Sequence, residues 1–162
     1  MSKLFVDDIV EKTSGHGVSI PGHVVQVVNA AYNTGVTLSS TGSAIETGLA
    51  ATITPKFSTS KIIILANQNI QVNGASYAQI VLRKGTIASS TIMAIMSSPE
   101  GYTASTDVSI NTIPMCYEDS PATTSATRYF CSMELLFGSI MYAQTSTSGA
   151  SVSTMTLMEI AQ

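Results

Sequence analysis

Lys61-Ile62-Ile63-Ile64-Leu65-Ala66-Asn67-Gln68-Asn69-Ile70-Gln71-Val72-Asn73-Gly74 is the stretch that decides the fold class. Side chains of a strand point alternately to its two faces. Over residues 61–72, Ile62, Ile64, Ala66, Ile70 and Val72 therefore share one face. Ile63 and Leu65 face the other way, so the start of this strand is expected to be covered on both sides. Asn73 and Gly74 tolerate positive φ and are expected to close a hairpin. The returning strand, 77–84, carries Ala78, Ile80 and Leu82 on one face.

The same reading continues in both directions along the chain. Strands are expected at 24–32, 44–54, 86–95, 107–118, 127–137, 140–144 and 152–160. In the 128–137 segment, Tyr129, Cys131, Met133, Leu135 and Phe137 point to the core, with Arg128, Ser132 and Glu134 opposite. Val, Ile and Thr are frequent, which suits pleated surfaces. Turn signals such as Pro21-Gly22, Thr41-Gly42, Lys84-Gly85 and Ser120-Pro121 separate the segments. No sustained helical periodicity with caps occurs. The eight methionines read as core or interface fillers. The fold class that follows is all-β: a jelly-roll-like β-sandwich of about eight to ten antiparallel strands.

A chain of 162 residues is enough for one core. Residues 23–162 are assigned to the sandwich and 1–22 to an N-terminal attachment arm. Leu4, Phe5, Val6, Ile9 and Val10 give that arm an apolar character, interrupted by Asp7 and Asp8. Two readings stand for it: docking on a partner or neighbouring copy, or an ordinary edge strand.

Only 10% of the residues are charged, against about 25% in average domains. Ser, Thr, Asn and Gln do the surface work instead. Interface cores are depleted in charge, so a homo-oligomer is expected. The net charge is -3. Lys3, Lys12, Lys56, Lys61, Arg83, Lys84 and Arg128 form no basic run, which speaks against nucleic acid as a partner. Membrane insertion is not expected, because no segment approaches the ~18 apolar residues of a span. Nor does the N-terminus read as a signal peptide, so cytoplasmic synthesis is expected. Cys116 and Cys131 are too few for a disulfide scaffold. They would fall opposite each other if 115–119 paired with 128–131, but cytosolic synthesis favours buried, reduced thiols.

Catalytic signatures are absent from the sequence. His16 and His23 fit no strong metal pattern, so no metal and no cofactor is expected. Neither a nucleophile elbow nor a phosphate-binding glycine loop occurs. Asp107, Glu118, Asp119 and Glu134 are the carboxylates that could cleave a sugar polymer as a pair. Glu118-Asp119, however, adjoins a turn, where acids commonly bind backbone donors. No solenoid repeat accompanies them, and the chain is expected not to be an enzyme. Tyr102, Tyr117 and Tyr142 could stack on sugars, with core packing as the default.

Four stretches carry a resemblance. They are Leu4-Phe5-Val6-Asp7-Asp8-Ile9 with Ile20-Pro21-Gly22-His23-Val24-Val25-Gln26, then Ile53-Thr54-Pro55-Lys56-Phe57-Ser58-Thr59-Ser60-Lys61-Ile62, then Glu118-Asp119-Ser120-Pro121-Ala122-Thr123-Thr124-Ser125 before Arg128-Tyr129, and last Met155-Thr156-Leu157-Met158-Glu159-Ile160. In that order they resemble short tail-fibre or appendage proteins of marine tailed phages, with a sandwich like those of TNF and C1q. The third looks like that family's long hairpin turn. The resemblance implies a virion structural protein that forms homotrimers and has no catalytic residues. Long tail fibres carry a shaft before the head domain, and little precedes Val24 here. The chain is therefore expected to be a knob or a decoration held by its arm. As a tail-fibre or head-fibre knob it would contact a cell-surface polysaccharide or protein of the host through loops 97–106, 120–127 and 145–151. Tyr102, Ser120, Thr123 and Thr124 are the candidate recognition residues. The alternatives are a capsid decoration or cement protein and, more remotely, a polysaccharide-degrading spike.

Overall fold

The computed structural model describes Asp8, Val10 and residues 20–100, 107–144 and 151–162, with backbone alone for 97–100. Its strands are β1 (Val24–Tyr32), β2 (Val36–Leu38), β3 (Ala44–Ile53), β4 (Lys61–Asn73), β5 (Tyr77–Lys84), β6 (Thr91–Glu100), β7 (Val108–Asp119), β8 (Thr127–Phe137), β9 (Ile140–Ala143) and β10 (Ser153–Ile160). One 3-10 turn, Ile87–Ser89, is the sole helical piece among the described residues.

β4 organises the first sheet. It pairs with β7 along its whole length on one edge. Its other edge is shared: β10 takes Lys61 to Asn67 and β9 takes Ile70 to Asn73. β1 lies outside β10, and β2 lies outside β9. The second sheet runs β3-β8-β5-β6. With the two short strands β2 and β9 set aside, the order β1-β10-β4-β7 faces β3-β8-β5-β6. That interleaving of antiparallel strands over two sheets is the jelly roll.

The expected inward row of β4 is the floor of the core: Ile62, Ile64, Ala66, Ile70 and Val72 are all buried. The apolar core falls into two clusters. One gathers Leu49, Ile53, Ile64, Leu82, Tyr129 and Leu157, and the other Leu38, Ile70, Ile80, Met133, Leu135 and Met141. Gln68 interrupts the inward row between them. Thr47 Oγ1 donates to Gln68 Oε1 (2.7 Å), and Gln68 Nε2 donates to Ser153 Oγ (3.0 Å). The Gln144 amide nitrogen donates to Thr47 O (2.9 Å). All four residues of this polar belt are buried. The belt sits where β9 leaves the edge of β4 and β10 enters. There Asn69 N donates to Ser153 Oγ (2.9 Å), and Asn69 O accepts from Gln144 N (3.1 Å). Side chains thus satisfy β4 backbone groups at the break in the ladder, as buried backbone requires.

Several expectations are corrected. Asn73-Gly74 closes no hairpin, because β4 and β5 belong to different sheets. Gly74, at φ +67, instead turns the chain across the sandwich, and its N donates to Asp107 O (2.9 Å). The 120–126 connection likewise crosses between sheets, so 115–119 does not pair with 128–131. Both cysteines are free, yet only Cys131 is buried and Cys116 is exposed. Residues 87–89 form the 3-10 turn rather than strand, and β6 runs on to Glu100, into the expected 97–106 loop. Phe137 is half exposed and stacks on Tyr77, their centroids 5.5 Å apart. Phe130 and Ser132 are buried although they face away from the core. Arg128 lies 4.6 Å over the Phe130 ring, and Arg83 Nε donates to Ser132 Oγ (2.7 Å). The short strand β2 carried too little alternation to be expected.

Candidate functional site

Strand register sorts the connections onto two ends. Ile160 pairs with Lys61, Ile62 with Asp119, and Thr127 with Ile53. Residues 20–23, 54–60, 85–90, 120–126 and the chain beyond Ile160 therefore share one end, here the arm end. Asn73 pairs with Val108 and with Ile140, and Phe137 with Tyr77. Connections 39–43, 74–76 and 138–139 consequently share the far end, as do Glu100 and Asp107, whereas Tyr32, Val36, Ala143 and Ser153 lie beside the middle of β4.

A buried carboxylate organises the arm end. Glu159 follows Met155 and Leu157 in the inward row of β10. Its Oε1 accepts from Lys56 N (2.8 Å), Phe57 N (3.2 Å) and Ser60 Oγ (2.7 Å). Its Oε2 accepts from Gln26 Nε2 (2.6 Å), which also donates to Thr54 O (2.7 Å). One side chain thereby fixes the whole β3–β4 turn. Three of the four stretches that carry the resemblance meet on it. Gly22 N donates to Ala161 O (2.8 Å) and Ala161 N to His23 O (3.0 Å), which tie the chain entering β1 to the chain leaving β10.

The fourth stretch is anchored beside it. Asp119 Oδ2 accepts from Tyr129 Oη (2.7 Å) and Lys84 Nζ (2.9 Å). Burial first, then the Asp119 hydrogen bond and charge, push the Tyr129 hydroxyl far above its ordinary range, so it stays a donor. From this anchor the 120–126 connection projects. Ala122 has φ +52, and Ser125 N donates to Thr123 Oγ1 (3.0 Å). Ser120 and Thr124 are exposed, and Thr123 is half-buried.

The candidate recognition residues do not converge. Ser120, Thr123 and Thr124 lie at the arm end. Tyr102 lies outside the described residues, in a connection whose two ends belong to the far end. Leu4, Phe5, Val6, Ile9 and His16 also lie outside the described residues. Val10 is described and is 81% exposed; His23 is exposed. Tyr117 and Tyr142 are half-buried, and Tyr117 packs against the first core cluster.

Two of the candidate carboxylates, Glu118 and Glu134, lie on opposite outer faces. Glu118 pairs with Lys61 (2.6 Å) on the outer face of the first sheet. Glu134 accepts from Gln79 Nε2 (2.6 Å) on the outer face of the second, on the opposite side of the sandwich. Among the described residues, no group of three or more His, Cys, Asp and Glu could hold a metal ion. Sequence reasoning missed Glu159 and the Gln68 belt. The signal was there: Glu159 and Gln68 are polar residues in inward rows that are otherwise mostly apolar.

This arrangement of strands has solved counterparts. The likeness is one of fold. Over 84% of this chain it matches a chain in the structure of infectious bursal disease virus, Gx strain, with a TM-score of 0.53 and 12% identity. Over 95% it matches a mutant VP2 protein of the same virus in derived T=1 particles, with a TM-score of 0.50 and 10% identity. The jelly roll described here spans 32% and 41% of those chains. No family model matches the sequence, and no curated protein matches it.

Proposed function

We propose that this chain is a structural protein of a virus particle, a trimeric tail-fibre or head-fibre knob of a tailed phage. Residues 1–22 fix it to other virion proteins, and its far end meets a polysaccharide or protein of the host surface. The separation of the two ends carries this reading. Chain entry, chain exit and the Glu159 anchor hold one end together, which leaves the opposite connections for display. Such a knob works by avidity, since several weak sites on one particle raise the effective concentration. The jelly roll shared with proteins of viral particles supports a structural role, and the four stretches of resemblance support the appendage. No catalysis is assigned: Glu46, Glu118, Asp119, Glu134 and Glu159 are each engaged in hydrogen bonds or ion pairs within the fold.

The far-end assignment moves the recognition surface away from Ser120, Thr123 and Thr124, which would then face the particle. Connection 101–106 takes their place, so Tyr102 stays in the recognition set. Replacing this connection with a short Gly-Ser linker is expected to abolish adsorption to the host while particles still assemble. Unchanged adsorption would sink the receptor-binding reading. A second reading, capsid decoration, is favoured by the outer face of the first sheet, whose two described charges pair with each other. A reconstruction of the intact particle separates the two: a projecting knob supports the first, a chain lying flat on the lattice the second.

A further inference from the structure

β4 was expected to be covered on both sides at its start, and the chain covers only one. On its outer face Ile63 is half-buried and Leu65 is 39% exposed. Register extends this into a surface. Val27, Met158 and Ile63 lie side by side across β1, β10 and β4, and the next row holds Asn29, Thr156, Leu65 and Cys116. Val27 is 49% exposed, and further along β7 Ile110 is 67% exposed. Among the described residues the face carries two charges, Lys61 and Glu118, and they pair with each other.

The second sheet is built differently. Its outer face carries Arg83, Glu134 and the Glu46–Arg128 ion pair (2.6 Å). The connection after β5 folds back on it: Arg83 Nη1 donates to Ser90 Oγ (3.0 Å), and Arg128 Nη1 to Gly85 O (3.2 Å). Ile92 and Ile95 are more than half exposed, but they lie on its edge strand, with Ile92 opposite Arg83. One face is therefore finished for water, and the other is not.

We infer that the outer face of the first sheet is the surface through which copies of this chain meet, an inference resting on the homo-oligomer proposed above. Strands about 4.8 Å apart and rising about 3.3 Å per residue make a four-strand face, the length of β4, of about 800 Å². That is what one partner contributes to a standard interface. The charges fit a second copy. A face whose two described charges pair with each other within the chain is neutral, so a second copy meets no unpaired charge on it. The relief fits as well: a shallow hollow lined by Asn29, Ala31, Thr154 and Thr156 lies beside the bulkier Met158 and Leu65.

Cys116 reports on the face directly. It is exposed on the single chain, whereas Cys131 is buried with its thiol pushed up to about 12 and stays silent. The experiment is native mass spectrometry of the full chain together with the rate of Cys116 alkylation by N-ethylmaleimide. The wild-type chain is expected to be an oligomer with Cys116 protected. Leu65→Lys and Met158→Glu are expected to give folded single chains by circular dichroism, alkylated at Cys116 at least ~10-fold faster. Ile92→Lys, on the second sheet, should change neither readout. An oligomer that survives both first-sheet substitutions, or that dissociates only with Ile92→Lys, would overturn the face and leave the oligomer standing. A wild-type chain that is single and freely alkylated would overturn both.

Discussion

Glu46 shows how few charges this fold uses and how each is employed. Arg128 donates to both of its carboxylate oxygens, at 3.0 and 2.6 Å, while lying over the Phe130 ring. The hydrogen bond from Arg128, foremost, holds the Glu46 carboxyl below its ordinary value of 4.5, with burial opposing. A carboxylate whose pKa is depressed on folding contributes stability above its unfolded pKa. That contribution is lost as pH falls through the folded value. Glu46→Gln is therefore expected to lower Tm near neutrality, with the difference from the wild type shrinking below about pH 4.5. Thermal melts across pH 2.5 to 7 check this; a constant difference would contradict it. The effect is modest, because the pair is about one-third exposed and water screens it.

β10 and β4 teach a different lesson. The inward row of β4 is apolar except at Gln68, and that of β10 except at Ser153 and Glu159. Truncating Glu159 to Ala would leave Lys56 N, Phe57 N and Ser60 Oγ facing no acceptor. A cost of about 3 kcal/mol is expected, roughly 6 to 12 °C in Tm for a chain of this size. Glu118→Ala, which removes a half-exposed ion pair, should cost under about 1 kcal/mol. Calorimetry on the two variants tests the ranking. Strand positions were legible in the sequence because period-two alternation is local, and Val24–Tyr32 and Thr127–Phe137 were read to the residue. Sheet membership was not, because it is set by partners far along the chain. Asn73-Gly74 suits a hairpin and a crossing between sheets equally well, and the short β2 presents three residues, too few to alternate. The same limit applies to the candidate site. Ser120 and Tyr102 look alike as loop residues, and only the register puts their connections at opposite ends.

The molecule as a whole is held by its most distant pairings. Val24 pairs with Ile160 and Tyr32 with Ser153, so the first long strand and the last lie side by side. Removing residues 153–162 would strip β10 from the first sheet, leaving β1 unpaired and the Glu159 donors empty. The shortened chain is expected to show no cooperative thermal transition by far-UV circular dichroism. A sharp transition would mean that the remaining strands fold alone. The same pairing governs how the protein comes into being. Contacts this remote in sequence make folding slow, and on the ribosome they impose an order. β1 emerges early and has no partner until β10 follows, an interval on the order of ten seconds at usual rates of synthesis. Throughout that interval Val27, Val28 and Ala30 stand on an unpaired strand, so the nascent chain is a natural client for holding chaperones until its final segment is made.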